Sequence, residues 1–157
     1  MQANEETDVS PMAESTVQSI DVRATPEACF EVAADIAVYP EWATGVRSTE
    51  VLEETTDGRV HRATFIIDGM VKEIEYSLTY RYDYPHEMTW SADPGDDINE
   101  LEGSYRFEPV EGDRTRVTYA LRAEPAFSIP GFLRRQVEKQ IVTTALRGLR
   151  ARVEAGD

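Results

Sequence analysis

From residue 46 to residue 124 the chain alternates apolar and polar residues with a period of two, and turn signals interrupt it regularly. Asp57-Gly58 separates "VRSTEVLEE" from "VHRATFII"; Asp68-Gly69, Tyr84-Pro85, "DPGDD" and Glu111-Gly112-Asp113 follow. Asp-Gly pairs supply positive φ cheaply and are strong hairpin signals. The pattern predicts six antiparallel strands in a meander. A seventh strand, "STVQSIDVR", precedes them, with Val17, Ser19 and Asp21 on one side and Gln18, Ile20 and Val22 on the other.

Helices flank this sheet in sequence. In "ATPEACFEVAADI" Thr25 is a good N-cap, Pro26 suits the first helical position and Glu27 favours the positive helix end. Phe30, Ala33 and Ile36 or Ala37 recur at helical spacing. Pro40 is expected to end this helix and to push Tyr39 out of the helical region, with a second short turn through "PEWA". "IPGFLRRQVEKQIVTTALRGLRARVEA" predicts a long amphipathic helix. Leu133, Val137, Ile141, Ala145, Leu149 and Val153 form a row at four-residue spacing, joined by Val142 and Leu146. Gly148, costly by about 1 kcal/mol in a helix interior, marks a close approach of helix to sheet. Residues 1–13, acidic and aperiodic, read as a disordered tail ahead of one domain over 14–157, and Met12 opens a second start, "MAEST".

The strand phase sorts the side chains. Ile74, Tyr76, Leu78, Tyr80 and Tyr82 share one face, as do Met88 and Trp90, then Leu101, Tyr105 and Phe107 with Gly103 between them, then Thr115, Val117, Tyr119 and Leu121. Charges fill the opposite rows, so these faces are the buried ones. Repeated inward tyrosine has two readings: a pocket with polar points on an apolar wall, or a packed core whose hydroxyls reach the rim. Gly103 tilts the balance towards a pocket, since a strand-interior glycine marks a bend or a close approach.

The formal net charge of -14 disfavours nucleic acid, which needs a basic face, and tight adhesion to anionic lipid. The basic side of the last helix reads as a solvated face. The single Cys29, on an apolar helix stripe, excludes an internal disulfide and reads as a buried small hydrophobe. His61 and His86 lack partners at triad or metal spacing, and Glu73/Glu75 and Glu100/Glu102 point outward, so no metal, cofactor or catalytic set is expected. No apolar run is long enough to span a membrane and no signal peptide is evident, which makes the cytoplasm the expected compartment.

Over about residues 16–154 the chain resembles the polyketide cyclase/dehydrase and lipid-transport proteins of the START/Bet v 1-like (SRPBCC) superfamily. The resemblance rests on "IDVRATPEACFEVAADIAVYPEWATGVRSTEVLE", "DGRVHRATFIIDGMVKEIEYSLTY", "LEGSYRFEPVEGDRTRVTYAL" and "PGFLRRQVEKQIVTTALRGLRARVE". The "YPEW" turn and the last helix are its most specific parts, and the coenzyme Q-binding proteins are similar. It implies an α+β helix-grip fold: a curved seven-stranded antiparallel sheet wrapped on the long C-terminal helix, with two short helices after the first strand. It also implies an apolar cavity between sheet and helix, capped by Trp42. With the strand phases, this makes Trp42, Tyr76, Leu78, Tyr80, Trp90, Tyr105, Tyr119, Leu133, Val137 and Ile141 the candidate ligand-binding residues. The function expected is binding or transport of a hydrophobic small molecule: a lipid, an isoprenoid quinone or a polyketide-like aromatic. An aromatase/cyclase using an inward acid/base such as Tyr76, Tyr80 or Tyr119 is the alternative.

Overall fold

A computed structural model describes residues 15–69 and 72–156. The acidic segment expected to be disordered, 1–13, lies outside the described residues.

The seven strands are β1 (Thr16–Val22), β2 (Val46–Glu54), β3 (Val60–Asp68), β4 (Glu73–Asp83), β5 (Glu87–Ala92), β6 (Ile98–Val110) and β7 (Arg114–Pro125). They form one antiparallel sheet in the order β1-β7-β6-β5-β4-β3-β2. The predicted meander is therefore present, and β1 joins it by pairing with the last strand, Thr16 opposite Leu121 and Val22 opposite Thr115. Gly58 and Gly112 adopt φ of 89° and 79° in two of the hairpin turns, values that suit glycine because it lacks Cβ. Register shifts along β2 bend that edge of the sheet.

Helix α1 (Pro26–Ala34) starts as its sequence predicts, with the Thr25 hydroxyl accepting from the Ala28 N–H at 3.1 Å. Its end corrects the reading of Pro40. The helix stops at Ala34, a 3-10 turn covers residues 36–38, and α2 (Tyr39–Trp42) contains Pro40 in its first turn. Tyr39 is helical, at φ -51° and ψ -38°, despite preceding proline. The compensation is tertiary: its ring is buried and its hydroxyl donates to the Ala33 carbonyl.

The long helix α3 (Gly131–Ala155) crosses the concave side, resting mainly on β1, β7, α1 and α2. Its fully buried line is Glu138, Val142, Leu146, Leu149 and Val153. The expected row at four-residue spacing does not stay on one face. Each four-residue step turns the helix by about 40°, so Leu133 and Val153 end roughly 160° apart. Leu133 and Val137 are half-buried and Ile141 is 39% exposed. Gly148 does mark a close approach, but to Trp42 rather than to the sheet: a Cβ there would lie 3.2 Å from the Trp42 carbonyl oxygen and 3.3 Å from its ring.

Buried Glu138 anchors α3 to the sheet edge. Its carboxylate accepts from Thr16 Oγ1 at 3.1 Å and from the Ala123 N–H at 2.8 Å. Further along, Thr143 donates to Gln18 at 2.8 Å. Among the described residues no helix is long and apolar enough to cross a membrane, and no group of three or more His, Cys, Asp or Glu side chains is placed to hold a metal ion.

Candidate functional site

The inward rows of β4–β7 meet on the concave face as their alternation requires. Two rows carry most of the aromatic rings. One runs Tyr80, Trp90, Gly103, Leu121 across β4, β5, β6 and β7; the next runs Tyr82, Met88, Tyr105, Tyr119. Trp90 is the hub. Its ring centroid lies 5.9 Å from Tyr80, 5.3 Å from Tyr105 and 5.6 Å from Tyr119. Tyr105 and Tyr119 are 4.7 Å apart.

Gly103 explains this arrangement. It stands opposite Trp90, and a Cβ there would sit 2.4 Å from Trp90 Cε2 and Nε1. The indole therefore lies flat across the glycine. The reading of Gly103 as a close approach holds, and what approaches is the side chain at the centre of the aromatic layer.

A second group of rings forms the wall on the β2–β4 side. Tyr76 stacks on Phe65 at 5.6 Å, Phe65 meets Tyr39 at 6.0 Å, and Tyr39 meets Trp42 at 4.9 Å. Trp42 is thus tied to the sheet through Tyr39 and Phe65 and lies against Gly148 of α3. The Arg152–Glu41 ion pair, 3.0 Å, also joins this turn to α3. Phe65 and Tyr39 are missing from the sequence-derived set. Phe65 shares its phase with Ala63 and Ile67, a signal that Val60 and the β2–β3 irregularities obscure; Tyr39 was assigned away from the helical conformation that turns its ring inward.

The structure therefore brings Tyr76, Leu78, Tyr80, Trp90, Tyr105 and Tyr119 onto one face. Leu78 is buried between Ala63 and Ala92 of the neighbouring strands. Leu133, Val137 and Ile141 stand apart from the ring cluster. At about 100° per residue they fall within roughly 80° of Gly148 on the helix, on the side that touches the Trp42 turn. They form the half-open flank of α3 above the concave face.

The electrostatics of the face are those of neutral phenols. Burial pushes the Tyr80, Tyr105 and Tyr119 hydroxyls well above the ordinary tyrosine range, and neighbouring tyrosines push in the same direction. Burial alone raises Tyr76. Tyr39 and Tyr82 donate to the carbonyls of Ala33 and Val60. The hydroxyls of Tyr76, Tyr80, Tyr105 and Tyr119 have no protein acceptor among the described residues. They are also not among the sealed, unpartnered polar atoms, which there are Trp42 Nε1 and one Glu102 carboxylate oxygen. The inward rows of β4–β7 hold no charged side chain. Such a face can hold an uncharged, mostly apolar molecule and offer it hydrogen-bond donors; it has little with which to move protons near neutral pH.

A curved antiparallel sheet gripping a long helix over an apolar, tyrosine-studded face defines a helix-grip protein of the START/SRPBCC type. The chain belongs to the family described as polyketide cyclase/dehydrase and lipid transport, which matches residues 13–154. A START superfamily protein from Mycobacterium smegmatis superposes with a TM-score of 0.84 at 18% identity, over 91% of this chain and 99% of that one. The Zhui aromatase/cyclase from a Streptomyces species gives 0.77 at 14% identity, over 90% and 93%. A STAR-related lipid transfer protein from Xanthomonas axonopodis gives 0.69 at 21%, over 88% and 84%. Comparison with curated proteins finds no match.

Proposed function

We propose that this protein binds an uncharged hydrophobic small molecule that carries oxygen acceptors, on the face around Trp90, and that it acts as a carrier or holder rather than as a catalyst. The observation that carries this reading is the set of four inward tyrosine hydroxyls without a protein acceptor among the described residues, three on buried side chains and Tyr76 on a half-buried one, set in an otherwise apolar wall. A packed core would use phenylalanine at these positions, which needs no hydrogen-bond partner. Isoprenoid quinones and polyketide-like aromatics fit such donors better than plain acyl lipids do. Leu133, Val137 and Ile141 would close over the ligand from α3. Burying about 300 Å² of apolar ligand surface contributes up to roughly 7 kcal/mol before association costs of similar size, so micromolar affinity is expected.

A second reading, an aromatase/cyclase, is favoured by the likeness to the Zhui aromatase/cyclase. It would rely on shaping the substrate, since the raised tyrosines are poor acids and bases near neutral pH.

Mass spectrometry of solvent extracts from purified protein would identify a retained ligand. Titration with a naphthoquinone, followed by tryptophan fluorescence, tests the site. Ile141→Trp should weaken binding by crowding the half-open flank of α3, and Tyr80→Phe should weaken it by about 1 kcal/mol. If Ile141→Trp folds and binds like the parent, the ligand does not sit between α3 and the tyrosines. Turnover of a poly-β-ketone mimic, lost in Tyr80→Phe at unchanged affinity, would instead establish the cyclase.

A further inference from the structure

The chain carries 30 acidic residues and a net charge of -14, yet its longest helix carries few of them. Helix α3 has only Glu138 and Glu154. Glu138 is buried at the sheet edge, and Glu154 is taken up by Arg23 at 3.3 Å. The solvent face of α3 is left with Arg135, Lys139, Arg147 and Arg150, all exposed. None of these four makes an ion pair among the described residues, whereas nine other cations do.

The same surface begins with an exposed aromatic ring. Phe132 is 63% exposed, and Phe127, just before the helix, is 37% exposed. Phe132, Arg135, Gln136 and Lys139 follow at i, i+3, i+4 and i+7, so they are neighbours on one side of the helix. From Arg135 to Arg150 the cations extend over about 22 Å of helix axis. This is a band of charge, about 120° wide around the helix, with an apolar tip.

We propose that this face of α3 docks peripherally on an anionic lipid surface, with Phe132 entering the interfacial layer. A bilayer surface is planar, polyanionic and undemanding of shape, which matches a broad band of cations and a protruding ring. The mean charge of the chain does not oppose this docking decisively. Charges on the far side of the molecule are separated from the membrane by more than the Debye length of about 8 Å and are largely screened. Docking would lay α3 along the membrane, next to the half-open Leu133, Val137 and Ile141 flank. The proposal stands independently of what the concave face binds.

The test is flotation of the full chain with phosphatidylcholine vesicles and with the same vesicles made anionic by phosphatidylglycerol. Binding is expected to the anionic vesicles only, and to fall as salt is raised. Each cation near the surface is worth about fivefold in partitioning, so Arg135→Gln with Lys139→Gln should reduce it about 25-fold. Phe132→Ser should reduce it at every salt concentration. Val17→Ser, an exposed position on β1 away from the stripe, should change nothing. All of these side chains are exposed, so the variants should keep the fold, which circular dichroism checks. Absence of flotation on anionic vesicles, or flotation that the double charge variant leaves intact, overturns the proposal. Retention on immobilised polyglutamate without vesicle binding overturns it too, and assigns the face to an acidic protein partner.

Discussion

Gly103→Ala is the most direct probe of how the aromatic layer is built. The added Cβ would meet Trp90 Cε2 and Nε1 at 2.4 Å and Cζ2 at 2.5 Å, far inside van der Waals contact. Trp90 cannot simply tilt away, because Tyr80, Tyr105 and Tyr119 contact it from other directions. Overpacking of this kind costs about 1–3 kcal/mol. Replacing a strand glycine by alanine returns about 0.5–1 kcal/mol of backbone entropy. The net loss should be about 1–2 kcal/mol, a fall in Tm of roughly 3–6 °C for a domain of this size. Urea titration followed by tryptophan fluorescence measures the loss, and the native emission should shift as Trp90 is displaced. Gly95→Ala is the control, since its nearest neighbour would be 4.0 Å away; it should leave the midpoint unchanged. Quinone affinity should fall further in Gly103→Ala than stability does, because the indole is forced into the binding face. An unchanged midpoint and unchanged emission would mean that Trp90 does not lie across Gly103.

Burial raises the Cys29 thiol to about 11, so native protein at pH 8 should resist iodoacetamide for hours and react at once in urea; rapid stoichiometric labelling of native protein would contradict the packing of α1. The Asp97 carboxylate is held below its usual 3.8, first by Lys72 at 2.7 Å and then by the Glu75 N–H at 3.0 Å. A depressed carboxylate stabilises the fold above its unfolded pKa and loses that contribution as pH falls through the folded value. The difference in Tm between the parent and Asp97→Asn should therefore be present near neutral pH and vanish as the pH drops below 3.8; a difference that persists in acid would rule out the ionic origin.

The period-two pattern was enough to locate the strands and to say which residues face inward, because a pleated strand fixes side-chain direction locally. The tyrosines, Trp90 and Leu78 were legible for that reason. Other features depend on partners distant in sequence. Nothing near Tyr39 announces that its ring will be buried, which is what holds it helical ahead of Pro40. Adjacent Ile141 and Val142 are equally apolar, yet only Val142 is fully buried, and the choice is made where α3 meets β1 and β7. Gly148 looked like a contact with the sheet because the position of the Trp42 turn was unknown. The exposed cations of α3 were legible one by one; their lack of partners is a property of the folded surface.

The pairing of β1 with β7 has a consequence for the order of assembly. Hairpins β2 to β6 join residues close in the chain and can form as the chain emerges. Strand β1 has no neighbour until β7 exists, and Thr16 reaches Glu138 and Arg23 reaches Glu154 across sequence separations of 122 and 131 residues. Contacts of such length carry a loop-closure cost before they give any return. A nascent chain would therefore display its half-built aromatic sheet, with Trp90 and its tyrosines uncovered, until the last 25-residue helix had left the ribosome. That interval is when the chain is most exposed to aggregation, and when a hydrophobic cargo or a chaperone would meet it first.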